Sequence, residues 1–195
     1  MPSYIPLQEV SRNTVFRETG GADFSVTEVK TVVRSTGERA QFNVVSVKNG
    51  TPGVVTLVRS ADGRFLLGKH WRVSINQFAW EFPRGMGEDG EDIIHTAVRE
   101  VEEETGISRQ EFAREPVCIQ LIYPDSGLQS TRVGVVDILL KEPCEYYQSS
   151  EDGDWELSGG VLWATRDELT DMIVKSQITD GITLSALCVW DGHNY

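Results

Sequence analysis

The sequence predicts an α/β fold, on three observations. Short apolar or alternating runs, each closed by turn residues, recur along the chain in the manner of strands. Near the middle, Ile94, Ala97, Val98 and Val101 repeat at helical spacing. Beyond Thr165 two more segments read as helices, so helical and extended segments interleave.

The elements follow in chain order. Residues 1–20 are polar and mixed, with no strong period. Residues 24–48 alternate better, through Phe24, Val26, VKTVVRS and FNVVSV, and read as two or three strands joined by polar turns such as STGER. Asn49-Gly50-Thr51-Pro52-Gly53 is a strong turn or linker. It divides a β-strand region over residues 1–50 from a domain over residues 51–195. Val54–Arg59 reads as a buried strand, Ala61-Asp62-Gly63 as a turn, and Phe65–Gly68 as the next strand. The stretch KHWRVSINQFAWEFPRG then leads into a glycine-rich loop and the central helix. Val117–Tyr123 and Val133–Leu140 are further strands, separated by the turn Pro124-Asp125-Ser126-Gly127. Residues 142–160 form a polar, acidic loop. A strand at Val161–Ala164 follows, then a helix over Arg166–Lys175 capped by Thr165, and a last helix through ITLSALCVW.

The chain is organised around Gly85–Ile107, GMGEDGEDIIHTAVREVEEETGI. Asp89 or Gly90 is the expected N-cap, with Glu91 and Asp92 in the first turn, and Gly106 fits the left-handed position past the helix end. At 3.6 residues per turn, Glu100, Glu103 and Glu104 share one face, and the apolar group lies roughly 100° around. Like charges at these spacings destabilise an isolated helix unless a cation offsets them. Hard oxygen ligands suit Mg²⁺ or Mn²⁺, ions that bridge phosphate oxygens and polarise phosphorus. Arg99 and Glu103 form an i,i+4 pair and Glu91 is a further partner, which makes Arg99 a residue that orients acids. Taken alone, a run such as EVEEE reads as a solvated acidic face, its usual meaning, and only the full spacing changes that.

Bulk properties narrow the partners. The chain has 195 residues, enough for one sizeable core, with 18 basic and 30 acidic residues and a net charge of −12. That balance argues against nucleic-acid backbones and anionic membrane surfaces as partners, while a bound cation can still recruit an anionic substrate. Three cysteines, Cys118, Cys144 and Cys188, have no ligand spacing and indicate a reducing, cytoplasmic setting. MPSYIPLQEV shows no basic-then-apolar leader, and no apolar run approaches membrane-spanning length. No Gly-x-Ser-x-Gly or Cys/His pairing supports covalent catalysis. His70, His95 and His193 carry no spacing that assigns them a role.

The pattern G-x5-E-x7-R-E-(apolar)-x-E-E-x-G-(apolar) is matched at every fixed position, from Gly85 to Ile107. Average residue frequencies put a chance match at a given start at roughly one in a billion. This stretch resembles the signature of the Nudix hydrolases. The resemblance implies a Nudix fold, a mixed sheet sandwiched between helices. The flanking segments are similar to the ADP-ribose pyrophosphatases of that family. These include Trp71-Arg72, then Glu81-Phe82-Pro83-Arg84-Gly85, then Pro124 and Gly127, and an ending Ile-x-Asp-Gly-x-Thr-Leu followed by Ala-Leu and Trp. In that group the N-terminal strands exchange contacts between two subunits, so a homodimer is implied.

The resemblance implies metal ligation by Glu100, Glu103, Glu104 and the backbone carbonyl at or just before Gly85, with Mg²⁺ or Mn²⁺ as cofactor. Arg99, Glu103 and Glu104 would serve catalysis, and Glu151 or Glu156 in the acidic loop would supply the general base. Arg72, Glu81 and Arg84 would contact a nucleoside diphosphate substrate, and Trp71 or Phe78 would stack on its base. Arg84 departs from the small residue usual at its place, and a glutamate frequent beyond Gly127 is replaced near Thr131. Tyr123 instead matches a feature of dinucleoside polyphosphate hydrolases. The implied reaction is hydrolysis of ADP-ribose to AMP and ribose 5-phosphate. The alternatives are a hydrolase of nucleoside diphosphate sugars, of dinucleoside polyphosphates or of another Nudix substrate, and a non-catalytic module that senses ADP-ribose.

Overall fold

The computed structural model of the chain describes residues 4–147 and 159–193. Its strands are β1 (Leu7–Arg17), β2 (Ser25–Val33), β3 (Arg39–Ser46), β4 (Gly53–Arg59), β5 (Phe65–Arg72), β6 (Gln77–Glu81), β7 (Arg84–Gly85), β8 (Val117–Ile122), β9 (Val133–Leu139) and β10 (Val161–Ala164). Its α-helices are α1 (Ile93–Thr105), α2 (Arg166–Val174) and α3 (Gly181–His193). The chain divides into two compact units, one running through Thr51 and including Tyr123–Arg132, the other formed by Pro52–Ile122 and the chain from Val133.

The first unit is an antiparallel meander, β1-β2-β3. The free edge of β3 is joined by residues 128–130. The Val45 N–H donates to the Leu128 carbonyl at 2.8 Å, and the Ser130 N–H donates to the Val45 carbonyl at 2.9 Å. The turn expected at Pro124–Gly127 is therefore part of a connection that extends this sheet. β1 has no counterpart among the strands expected from the sequence, for a physical reason. Nine of its eleven residues are exposed, so neither face has a core to demand apolar alternation. Its strand character comes from backbone pairing to β2, with register shifts at Glu9/Ser11 and Thr14/Phe16.

The second unit is built on a mixed sheet, β10-β5-β4-β9-β8, with β6 on β5 and β7 on β4. Only β4 and β9 run parallel. Successive β4 residues serve opposite faces. Val55 and Leu57 pack with Leu169 and Met172 of α2 and Ala186 and Leu187 of α3. Val54 and Val58 pack with Ala97, Val98 and Val101 of α1. Burial on both faces explains why β4 and β9 read as continuous apolar runs rather than as alternation. Each such fully buried side chain contributes about 1.5–3 kcal/mol of hydrophobic stabilisation. The arrangement is the mixed sheet between helices that the sequence implies.

Two local differences from the sequence-based expectations bear on the site. The helix α1 begins later than expected, with Asp92 as N-cap, its carboxylate accepting the His95 N–H at 2.9 Å. Glu91 thus stands outside the helix. Its carboxylate is left to reach along the helix side. At the other end Gly106 does adopt φ 71°, the left-handed cap. Residues Gln77–Glu81 form a separate strand, β6, paired to β5 with Lys69 opposite Trp80 and Trp71 opposite Phe78. This hairpin puts Arg72 and Glu81 on one face and Trp71 with Phe78 on the other.

Candidate active site

The site grows from the junction of β7 with α1. Gly85 has no side chain, and a Cβ added there would fall inside the Glu100 carboxylate. Glycine is thus required so that the helix face can lie against the strand. The Pro83 carbonyl accepts the Thr56 N–H at 2.8 Å, and the Gly85 carbonyl lies against Gly53. Carbonyls alternate along a strand, so the Arg84 carbonyl between them turns away from β4. The Arg84 N–H donates to Glu104 Oε2 at 3.2 Å.

Arg99 is the hub of the acidic group. Its Nε and Nη2 bind the two Glu91 oxygens at 2.9 and 3.0 Å, its Nη1 reaches Glu100 at 2.9 Å and Glu103 at 3.1 Å, and its Nη2 also donates to the Met86 carbonyl. The expected Arg99–Glu103 and Arg99–Glu91 pairs are both present, with Glu100 added. Hydrogen bonds from Arg99 are the main reason the Glu91 carboxyl is lowered to about 2. The same partners raise Arg99 above its ordinary value. Glu100 is half-buried, and burial pushes its carboxyl up despite Arg99. Among the described residues Glu104 makes no hydrogen bond or ion pair with a guanidinium. Burial, then the charge of Glu100, pushes its carboxyl up to about 8, although the charges of Arg72 and Arg84 partly oppose the rise. Glu103 is exposed, with 58% of its side chain accessible.

A second group gathers around Glu81, which is 1% exposed. Arg72 binds it through two bonds of 2.9 and 2.7 Å, and Arg84 Nε donates to it at 2.6 Å. Burial opposes its charge, but the two guanidiniums outweigh that and hold its carboxyl below the usual range. The three residues that the sequence assigns separately to substrate thus contact one another. Arg84 Nη2 also faces Asp180 at 3.6 Å. Trp71 and Phe78 meet edge to face at 5.1 Å on the opposite side of the hairpin, both exposed. Phe82 is fully buried in the core, as expected. Glu151 and Glu156 lie outside the described residues.

Three residues at or near this site are ones that the sequence alone does not assign. Asp180 and Thr183 belong to the Ile-x-Asp-Gly-x-Thr-Leu ending, whose spacing is visible but whose partner is not. His70 is 1% exposed and lines a small cavity with Pro83, Glu104 and Thr105. Nothing in its sequence neighbourhood signals that. Among the described residues, no three His, Cys, Asp or Glu side chains already stand together as a ligand set.

The chain is similar to known proteins along most of its length. The chain is 25% identical over 137 residues to an ADP-ribose pyrophosphatase of Bacillus subtilis, covering 70% of each chain. It is 32% identical over 89 residues to the ADP-ribose pyrophosphatase of Saccharomyces cerevisiae, a match of 44% of this chain and only 37% of that protein. A solved structure described as an ADP compounds hydrolase superposes with a TM-score of 0.71 at 17% identity, covering 98% of this chain and 96% of that one. At that identity the likeness speaks for the fold alone. The NUDIX domain model matches residues 50–172, well over half the sequence, and the chain belongs to the NUDIX domain family.

Proposed function

We propose that this chain is a metal-dependent hydrolase of the diphosphate linkage in nucleoside diphosphate derivatives, with ADP-ribose as substrate and AMP and ribose 5-phosphate as products. The observation that carries the reading is the gathering of Glu100 and Glu104 at the Gly85 turn, where a Cβ on Gly85 would fall inside the Glu100 carboxylate and the Glu104 carboxylate accepts the Arg84 N–H. Such a group calls for a proton or a cation. The donor set, carboxylates with an outward-turned backbone carbonyl, fits Mg²⁺ or Mn²⁺. Glu100 and Glu104 would hold the metal with Glu103 beside them. Of the two carbonyls at or just before Gly85, the orientation favours that of Arg84. When bound, the metal supplies charge neutralisation on the diphosphate and a more acidic water.

The chain's own residues do the rest. Arg72 and Arg84 offer guanidinium N–H groups to the phosphates, with Glu81 fixing both forks. Trp71 and Phe78 stand on the opposite face of the hairpin from Arg72 and Glu81, so a base stacked on them would reach around the hairpin edge. Arg99 keeps Glu91, Glu100 and Glu103 in place. A water adds to one phosphorus, its proton passes to a glutamate, and the bond from that phosphorus to the bridging oxygen breaks. Glu151 or Glu156 is the proposed base. The two relatives named ADP-ribose pyrophosphatases support ADP-ribose as the substrate. Exposed Val10, Val15 and Phe16 on β1 support a homodimer. Free cysteines support a cytoplasmic setting. No helix among the described residues is long and apolar enough to cross a membrane.

The test is product analysis with Mg²⁺, Mn²⁺ or EDTA across ADP-ribose, UDP- and GDP-sugars, diadenosine polyphosphates and nucleoside triphosphates. Metal-dependent AMP and ribose 5-phosphate from ADP-ribose is the expected result. Preferential cleavage of diadenosine polyphosphates would favour the alternative that Tyr123 suggests. Tight ADP-ribose binding without turnover on any substrate would make the chain a sensor.

A further inference from the structure

The first turn of α3 grips the segment Glu81–Arg84 at two points. Asp180 stands at the helix start, where its Oδ2 accepts the Thr183 N–H at 2.8 Å and its backbone carbonyl accepts the Leu184 N–H at 3.0 Å. The other carboxylate oxygen, Oδ1, lies 3.6 Å from Arg84 Nη2. Thr183, buried at 1% exposure, uses its hydroxyl oxygen to accept the Phe82 N–H at 3.3 Å. Between these two grips runs the segment whose Arg84 binds Glu81 through its side chain and Glu104 through its backbone N–H.

Capping alone does not require an aspartate, because Asn and Ser serve equally well at a helix start. The charge and the second oxygen are used on Arg84. A guanidinium has five N–H donors in a fixed plane. Here Nε is committed to Glu81 and Nη2 faces Asp180, while Nη1 makes no hydrogen bond to protein among the described residues. Two anchors on one plane fix the direction of the third edge. With Glu81 alone, the plane is free to swing about a single hydrogen bond.

We propose that Asp180 is a positioning residue for substrate binding, acting through Arg84: it orients the open edge of that guanidinium toward an anionic phosphate. This rests on the reading of Arg84 as a phosphate contact given above. Both side chains are partly exposed, 16% for Asp180 and 22% for Arg84, so the effect is modest.

The experiment is a double-mutant cycle on the full chain with Mg²⁺ and ADP-ribose, comparing wild type, Asp180→Asn, Arg84→Ala and the pair. Asp180→Asn keeps a capping oxygen and removes the charge. The expected result is a KM raised about fivefold with kcat changed less than about twofold, and a Tm within about 2 °C of wild type. In the Arg84→Ala background the same substitution adds nothing. Asp180→Ser, which also caps, gives the same shift and serves if the Asn variant does not fold. If turnover is absent, the cycle is read in the Kd for ADP-ribose by calorimetry.

An unchanged KM in both Asp180 variants, with Arg84→Ala raising it, overturns the proposal. So does an equal rise in the presence and absence of Arg84, which would mean that Asp180 acts through the fold. If Arg84→Ala itself leaves KM and Kd unchanged, the phosphate reading of Arg84 fails first and the role of Asp180 falls with it.

Discussion

Two charge clusters in the same domain are built on inverse ratios. Around Arg99, one guanidinium is divided among three glutamates, Glu91, Glu100 and Glu103. Around Glu81, one carboxylate is divided between two guanidiniums, Arg72 and Arg84. The first cluster, with Glu104 beside it, carries surplus negative charge, whereas in the second Asp180 also faces Arg84, so that carboxylates stand on both sides of its guanidiniums. A salt bridge whose partners match in number is complete in itself. A cluster left in surplus is stabilised further by a counter-ion. On the proposed function, the difference assigns the cation to the side in surplus and leaves the phosphate to the side whose guanidiniums are shared among carboxylates.

Glu104→Gln is the strongest way to break the acidic side. We expect turnover to fall at least about 10³-fold, with circular dichroism unchanged. Near-wild-type rates would remove Glu104 from the metal-binding assignment. On the basic side, Glu81→Gln leaves two guanidiniums around a neutral amide at a buried position. Breaking a buried ion pair costs about 3–5 kcal/mol, and the partial exposure of both arginines reduces this to about 2–3 kcal/mol. Urea denaturation reads that loss directly.

Gly85→Ala tests whether the two halves of the acidic side are held by contact. The new methyl would displace Glu100, and we expect the Mg²⁺ concentration for half-maximal activity to rise about 10- to 100-fold, a range seen when the support of metal ligands is lost. The same kcat at saturating metal would separate this from a loss of fold. An unchanged metal requirement would show that Glu100 moves aside at no cost.

The last prediction distinguishes the two kinds of glutamate by pH. Glu104 has a folded value of about 8, above its ordinary 4.5, so it binds a proton in the folded state that the unfolded state has released. Its contribution to stability is full below about pH 4.5 and is lost as pH rises through about 8. Glu91 is the reverse: lowered to about 2, it contributes above about pH 4.5 and its contribution is lost as pH falls through about 2. In EDTA, wild type should lose stability between pH 4.5 and 8 with a slope of up to about one proton. Glu104→Gln should flatten that slope and Glu91→Gln should not. The two profiles, taken by denaturant titration, separate the assignments.

Much of the acidic side is legible in the sequence. Glu100, Glu103, Glu104 and Arg99 lie within one helix, where a fixed period sets which side chains are neighbours. The N-cap falls two or three residues later than expected because Asp89, Gly90 and Asp92 are all competent caps, and packing of Ile93 and Ile94 against the α1 face of the core chooses among them. The basic side is legible only as separate residues. Arg72, Glu81 and Arg84 come from β5, β6 and β7, and their meeting depends on the β5–β6 register and on β7 pairing with β4. β1 is not legible at all, because backbone pairing without burial leaves no pattern in side chains.

The sequence by itself determined the family pattern, the amphipathic helix, its glutamate face, its glycine cap and the doubly buried strands, since each depends on periods or turns within about twenty residues. Tertiary structure alone decided that Arg84 faces Asp180, that the Thr183 hydroxyl takes the Phe82 N–H, that the Arg84 carbonyl turns outward and that the Glu104 carboxyl is raised. Those properties arise where segments far apart in the chain meet, and burial and the sharing of charge exist only once they have met.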